Sequence, residues 1–244
     1  QSSSLGLLFS GMIGLVGCSE ELPPVIMTAE EKPLLDTFYI GSVPSAAIKK
    51  VLLFDVTGVR CNNCPKAAVL AKSLASSNLG RVEVVALYPK TPMRLTFPWP
   101  GYDTMSTTEA DQIATAMGGI TSLPLGAVDQ VSYNGSKLLN ISDWGAAVTA
   151  QLAKTSPINI SIKSVWKSAD GKARVEIKAF ANTALTANYK WVVAITESGV
   201  KSKQSDQDAP GGVVDDYDHE HALRGVVGST LGSDVNSAAV SAGY

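Results

Sequence analysis

The 244-residue chain has little of what several function classes require. It carries only two histidines, and its three cysteines stand at positions 18, 61 and 64. With no second CxxC motif and no histidine near the first, the pattern offers no tetrahedral Cys/His set for zinc. The formal net charge of -2 leaves no electrostatic footprint for nucleic acid. The apolar stretch near the start, Leu5 to Gly17 (LGLLFSGMIGLVG), has thirteen residues. A helix needs roughly 20 to cross about 30 Å of hydrocarbon, so this stretch does not span a bilayer. What remains is ordinary globular material, 45% hydrophobic and 17% charged, enough for one large core or two smaller ones. No metal, no cofactor and no nucleic-acid partner is expected.

The same thirteen residues fit the apolar core of a signal peptide. They end in Leu15-Val16-Gly17-Cys18, which resembles the bacterial lipobox, where cleavage before the cysteine is followed by lipidation of its thiol. Residues 1–17 are expected to be a signal peptide truncated before its basic n-region, and Cys18 the lipidation site. The alternative is a short buried helix with a free thiol. Acyl chains on Cys18 would anchor the mature protein to the membrane, because stable attachment takes more than one chain. The following SEELPPVIMTAEEKP has neither helical nor strand periodicity, and residues 18–36 read as a tether. Its acidic pair Glu20-Glu21 resembles the export signal of surface-displayed lipoproteins.

Residues 37–155 read as one α/β unit. Lys50 to Val56 is a compact apolar run of the kind that forms a central strand buried on both faces. Thr57-Gly58-Val59 turns the chain into Cys61-Asn62-Asn63-Cys64-Pro65. KAAVLAKSLASS then places Ala67, Leu70, Ala71 and Leu74 on one side of a helix. Pro65 is compatible with that helix, since the first-turn N–H groups lack intrahelical partners. Arg81 to Tyr88 is a second buried strand. Further helices are expected at Thr107–Met117 and Ser142–Lys154, and Pro89 to Ser106 reads as an inserted aromatic loop.

A CxxC between a strand and a helix in a βαβ unit is similar to the thioredoxin arrangement. Asp55, six residues before Cys61, resembles the buried acid of that family. Leu123-Pro124 before Leu125-Gly126-Ala127-Val128 resembles its cis-proline. Arg60 stands where thioredoxins have tryptophan, and Asn62-Asn63 where they have Gly-Pro, so neither redox potential nor partner class carries over. A thiol at a helix N-terminus beside Arg60 favours thiolate. Cys61 would then attack, Cys64 would resolve, and Asp55 would take or return a proton for Cys64. In the other reading Cys61 and Cys64 form an inert disulfide that staples the helix start, and Asp55 is a satisfied core acid.

From Ser156 the period changes to two. Ile158 to Lys163 and Ala173 to Lys178 alternate and are joined by Ala169-Asp170-Gly171-Lys172, a hairpin. Tyr189 to Ile195 is a third strand, ESGVKSKQSDQDAPGG reads as a polar loop, and Tyr217 to Arg224 as a further strand. Residues 156–244 are thus expected to form an antiparallel, β-sandwich-like domain, incomplete at its C-terminal end. On one strand His219 and His221 would share a face with Asp215, Asp216 and Asp218 nearby, a conceivable metal site or simply a polar face. Trp99-Pro100-Gly101-Tyr102 is either a recognition surface or a cap on the domain's own core.

A lipobox, FDVTGVRCNNCP, LPLGAV, AITES and DYDHEHALRG together resemble the Omp-twenty-eight family of bacterial outer-membrane lipoproteins, over roughly Cys18 to Gly228. The resemblance implies an outer-membrane, surface-exposed location and a thioredoxin-like domain followed by a β-sandwich. It brings adhesion or receptor roles and a redox role inferred from fold, and fold does not fix function. Two functions follow as expectations. One is thiol–disulfide exchange on envelope or extracellular protein partners. The other is a surface binding module in which the CxxC is structural.

Overall fold

The computed structural model describes residues 48–91, 93–167, 171–186, 189–235, 240 and 242. Cys18, the expected signal peptide and the expected tether lie outside them. The described chain runs β1 (Val51–Val56), α1 (Cys64–Ser77), β2 (Val82–Leu87), α2 (Met93–Thr96), α3 (Thr108–Ala116), β3 (Leu125–Val128) and α4 (Ile141–Leu152). It continues through β4 (Ile158–Lys167), β5 (Lys172–Ala181), β6 (Lys190–Trp191), β7 (Val193–Glu197), β8 (Val200–Ser205), β9 (Val213–His219), β10 (Ala222–Val227) and β11 (Ser233–Asp234).

Five strands make one mixed sheet in the order β3-β1-β2-β10-β7. β1 and β2 are parallel, Val51 opposite Val82 and Val56 opposite Leu87, and β3 runs antiparallel to β1. The apolar runs that make β1 and β2 are buried on both faces, as a sheet covered by helices on both sides requires. On one face Val51, Leu53 and Val82 pack against Ala67 and Ala71 of α1 and Trp144, Ala147 and Val148 of α4. On the other, Phe54, Val56, Val85 and Leu87 pack against Ala110 and Ile113 of α3 and against Met117. Leu53, Leu87 and Trp144 are wholly buried, and each stabilises the fold by about 2 kcal/mol or more.

Helix ends follow from local chemistry. Pro65 occupies the first turn of α1, where no N–H is missed. Thr107 caps α3 by accepting from the Ala110 N–H at 3.1 Å, with Glu109 and Asp111 on the positive end of its dipole. These helices stand where the periodicity puts them, within a residue or two, and the hairpin forms as expected with β4 four residues and β5 three residues longer at their C-terminal ends.

The C-terminal half departs from expectation. Among the described residues it does not close into a sandwich of its own, because β10 pairs in parallel with β2 (Ala222 opposite Ala86) and β7 pairs with β10. The central sheet thereby runs on into residues expected to start a second one. The reason lies in β10 itself, ALRGVV, whose residues are buried toward both faces. Three two-stranded sheets remain: β4–β5, β8–β9 and β6–β11. The polar segment expected to be a loop contains β8, and the single strand expected at Tyr217–Arg224 is broken at His221, whose φ of 55° turns the chain between β9 and β10. Among the described residues no helix is long and apolar enough to cross a membrane.

Candidate functional site

The loop between β1 and α1 carries the CxxC. Thr57 N–H still donates to Leu87 O at 2.9 Å, and the chain then leaves the sheet. Gly58 passes under α2 so closely that a Cβ there would lie 2.4 Å from Leu95 O, so no other residue fits without movement. Cys61 N–H donates to Gly58 O at 3.0 Å and Cys64 N–H to Cys61 O at 3.2 Å, a tight turn that holds the two Cα atoms 5.3 Å apart. That separation suits a disulfide, and the sulfurs are bonded.

Both cysteines are buried, Cys61 at 3% exposure and Cys64 at 2%. The cover comes from the end of β8. The buried amide of Gln204 donates to Gly58 O at 3.2 Å, Cys61 O at 3.1 Å and Ser205 O at 2.8 Å. Ser205 N–H donates to Val59 O at 2.9 Å and Gln207 N–H to Asn62 O at 3.1 Å. Residues 204–207 therefore lie along the CxxC loop much as an added strand would. An exposed Lys66–Asp208 pair at 3.2 Å joins α1 to the same segment. Asn62 and Asn63 remain exposed.

Arg60, next to Cys61 in sequence, is held by the aromatic loop. Its Nε donates to Phe97 O and its Nη2 to Pro98 O, both at 2.9 Å, and the guanidinium stacks 4.2 Å from the centre of the Trp99 ring. Trp99 in turn donates to Val59 O at 3.3 Å and packs on Val59, Tyr88 and Met105, with Lys203 on its ring at 5.3 Å. Tyr102 donates to Asp215 O at 3.1 Å. Trp99 thus caps the loop's own core beside the CxxC, while Phe97, 55% exposed, and Tyr102, 37% exposed, face solvent.

Asp55 is buried on β1, opposite Ala86 of β2 and Gly126 of β3. By alternation it shares the face of Val51 and Leu53, the face that α1 covers. Its Oδ1 has no hydrogen-bond partner, and burial raises its pKa to about 7. Tyr88 lies in the same buried region, its ionisation disfavoured by burial, then by Asp55 and Tyr217. Its hydroxyl is 2.9 Å from His219 Nδ1, and Tyr217 stacks on the same imidazole at 4.8 Å. Burial lowers the His219 pKa to about 4, against the opposing pull of the Ser202 backbone and Asp218. Leu123-Pro124 is cis and precedes Leu125, which pairs with Val56, so Pro124 stands level with the start of the CxxC loop.

The two histidines do not share a face. His219 points into the core and His221 is exposed in the turn, because the strand breaks between them. The nearby acids are already paired, Asp215 with Lys203 at 2.8 Å and Asp216 and Asp218 with Lys201 at 3.4 and 2.8 Å. Gln204, Tyr88 and Tyr217 were not singled out by sequence. Gln204 sits in a lysine- and serine-rich stretch that gives no sign of its contact with a loop 143 residues away.

The arrangement holds a closed disulfide along a hydrogen-bonded strap, and the strand that leads into its loop carries a buried carboxyl that gains and loses a proton near neutrality. As folded, Cys61 and Cys64 expose only 3% and 2% of their surface.

A family model described as outer membrane protein Omp28 matches residues 111–243, more than half of the chain. No functionally curated protein matches. Among solved structures, protein AGR_C_4864 from Agrobacterium tumefaciens is similar with a TM-score of 0.50 at 16% identity, over 80% of this chain and 78% of that one. HBP35 of Porphyromonas gingivalis is similar with a TM-score of 0.53 at 14% identity, over 79% of this chain. This chain spans 61% of the HBP35 chain, and at these identities both likenesses concern fold alone.

Proposed function

The chain belongs to the outer membrane protein Omp28 family, and from that premise we propose that it is a lipid-anchored outer-membrane protein whose thioredoxin-like unit is a rigid binding scaffold, with Cys61–Cys64 as a structural disulfide. The observation that carries this reading is the burial of Cys61, at 3% exposure, under the Gln204 amide. Exchange needs a thiolate to approach a sulfur in line, and both cysteines are almost wholly buried beside the β8 strap. Arg60, the cation nearest in sequence, is engaged with Phe97, Pro98 and Trp99. Anchoring is assigned to Cys18 by the lipobox alone, and envelope or extracellular proteins are the partners in view.

A second reading, gated thiol–disulfide exchange, is favoured by one observation. Asp55 has an unpartnered carboxylate oxygen and a pKa raised to about 7, the property a proton acceptor for Cys64 needs. In that reading the strap lifts before exchange.

Cys64→Ser separates the two in the cell envelope. A structural pair leaves the variant without mixed disulfides and costs about 2 kcal/mol of stability, the chain-entropy value for so short a loop. An exchanger accumulates covalent adducts through Cys61, and their capture from the envelope would overturn the scaffold reading.

A further inference from the structure

Residues 158–181 combine a net positive charge with an exposed apolar face. They carry Lys163, Lys167, Lys172, Arg174 and Lys178 against Asp170 and Glu176, a net +3. The whole chain stands at -2, so the remainder stands at -5. β4 and β5 pair in unbroken antiparallel register, with Ile160 opposite Ala179, Ile162 opposite Ile177 and Ser164 opposite Val175. Alternation then collects Ile158, Ile160, Ile162, Val175, Ile177 and Ala179 on one face. The opposite face holds Lys163, Arg174, Lys178 and Glu176, the last two paired at 3.0 Å. Toward the tip the apolar face is open: Ile160 is 59% exposed, Ile162 68% and Val175 49%.

Among the described residues no third strand hydrogen-bonds to this ribbon. Its base is tied by Asn182, whose Nδ2 donates to Asn159 Oδ1 at 2.7 Å and to Ser156 O at 3.2 Å. A two-stranded ribbon gains independent stability in water only when its apolar face is covered. The face calls for an occupant.

We propose that the β4–β5 hairpin is a membrane-contact element, laying its isoleucine face into the interface of an anionic lipid bilayer while its lysines and arginine reach the lipid phosphates. Area argues for lipid over protein. The open apolar patch is on the order of 300 Å², the scale at which a patch marks an interaction site. A stable protein interface buries about 800 Å² per partner, more than this face supplies to a second copy. A bilayer interface needs only an apolar side and a cationic polar side. Charge argues the same way, since the ribbon itself carries a net +3, and its basic side chains are of the sign an anionic surface attracts. Long Lys and Arg stems lie along the ribbon while their charged ends reach headgroups. The inference does not depend on lipidation of Cys18.

The test uses the chain from Ser19 onward, so that neither an acyl chain nor the apolar stretch Leu5–Gly17 contributes, and sedimentation with vesicles of phosphatidylcholine alone or with 3 parts in 10 of phosphatidylglycerol. Binding is expected to the anionic vesicles and to weaken with salt. Ile160→Ser/Ile162→Ser should reduce partitioning about 10-fold or more, and Lys163→Gln/Lys178→Gln should flatten the salt dependence. A second measurement covers the case in which the serine variant misfolds. An environment-sensitive fluorophore on Ile162→Cys should brighten on anionic vesicles and stay unchanged on neutral ones. Absence of binding, equal binding to both vesicles, an unresponsive fluorophore, or a concentration-dependent dimer that the serine pair abolishes would each overturn the proposal.

Discussion

Asp55 and His219 pull the pH dependence of stability in opposite directions, and removing either one should unmask the other. The Asp55 carboxyl has a folded pKa of about 7 against an ordinary 3.8, because burial penalises its ionised form. The folded protein therefore binds this proton more tightly than the unfolded chain does. The contribution is complete below about pH 3.8 and is lost as pH rises through about 7. At about 1.4 kcal/mol per pH unit between the two values, the loss is on the order of 4 kcal/mol. His219 behaves in the reverse sense. Its folded pKa of about 4 lies below the ordinary 6.5, so its contribution is present above pH 6.5 and is lost as pH falls through about 4, on the order of 3 kcal/mol. Between pH 4 and 6.5 the two slopes nearly cancel. Asp55→Asn should give a protein whose stability climbs through that window, and His219→Gln one whose stability falls from pH 4 to 7. Urea unfolding at half-unit pH intervals, with constant m-values as the check on two-state behaviour, measures both. If each variant keeps the pH profile of the parent, the burial argument for this cluster is wrong.

Other consequences are more local. Gln204→Ala removes donors to Gly58 O and Cys61 O, and at about 1 kcal/mol per bond it should speed reduction of the native disulfide by dithiothreitol about 30-fold; alkylation and mass spectrometry read the rate. Gly126→Ala would put a Cβ 2.2 Å from Cε2 of the buried Trp144, so overpacking should lower stability by about 1–3 kcal/mol, seen as a drop in Tm without change of fold. Cys18→Ala should move the protein from the membrane fraction to the soluble fraction of the envelope, and retention at the membrane would count against the lipobox.

The legible parts of the sequence were those with a period or a fixed local rule. β1 and β2 are unbroken apolar runs, α1 and α3 carry their start signals, and the alternation of β4 and β5 predicts the hairpin. The cis bond at Leu123–Pro124 came from resemblance, since nothing in local composition requires it. What sequence could not supply is pairing across long separations. β8 reads as loop because Ser202, Gln204 and Ser205, its buried residues, are polar, and burial becomes affordable only through partners far along the chain. Arg60 has the right sequence position to activate Cys61, yet two carbonyls and an indole claim it. β10 looked like part of a separate sheet because one register with Ala86, more than a hundred residues earlier, decides where it docks.

The central claim is that the Cys61–Cys64 bond is shielded by the β8 strap in the folded protein. Its most direct test is the rate of disulfide reduction by dithiothreitol under native conditions, compared with the same protein in denaturing urea. The account predicts reduction at least about 100-fold slower in the native state, which corresponds to an opening free energy of about 2.7 kcal/mol or more. Native reduction as fast as that of the unfolded chain would contradict it, and Cys61 would then be an accessible sulfur ready for exchange.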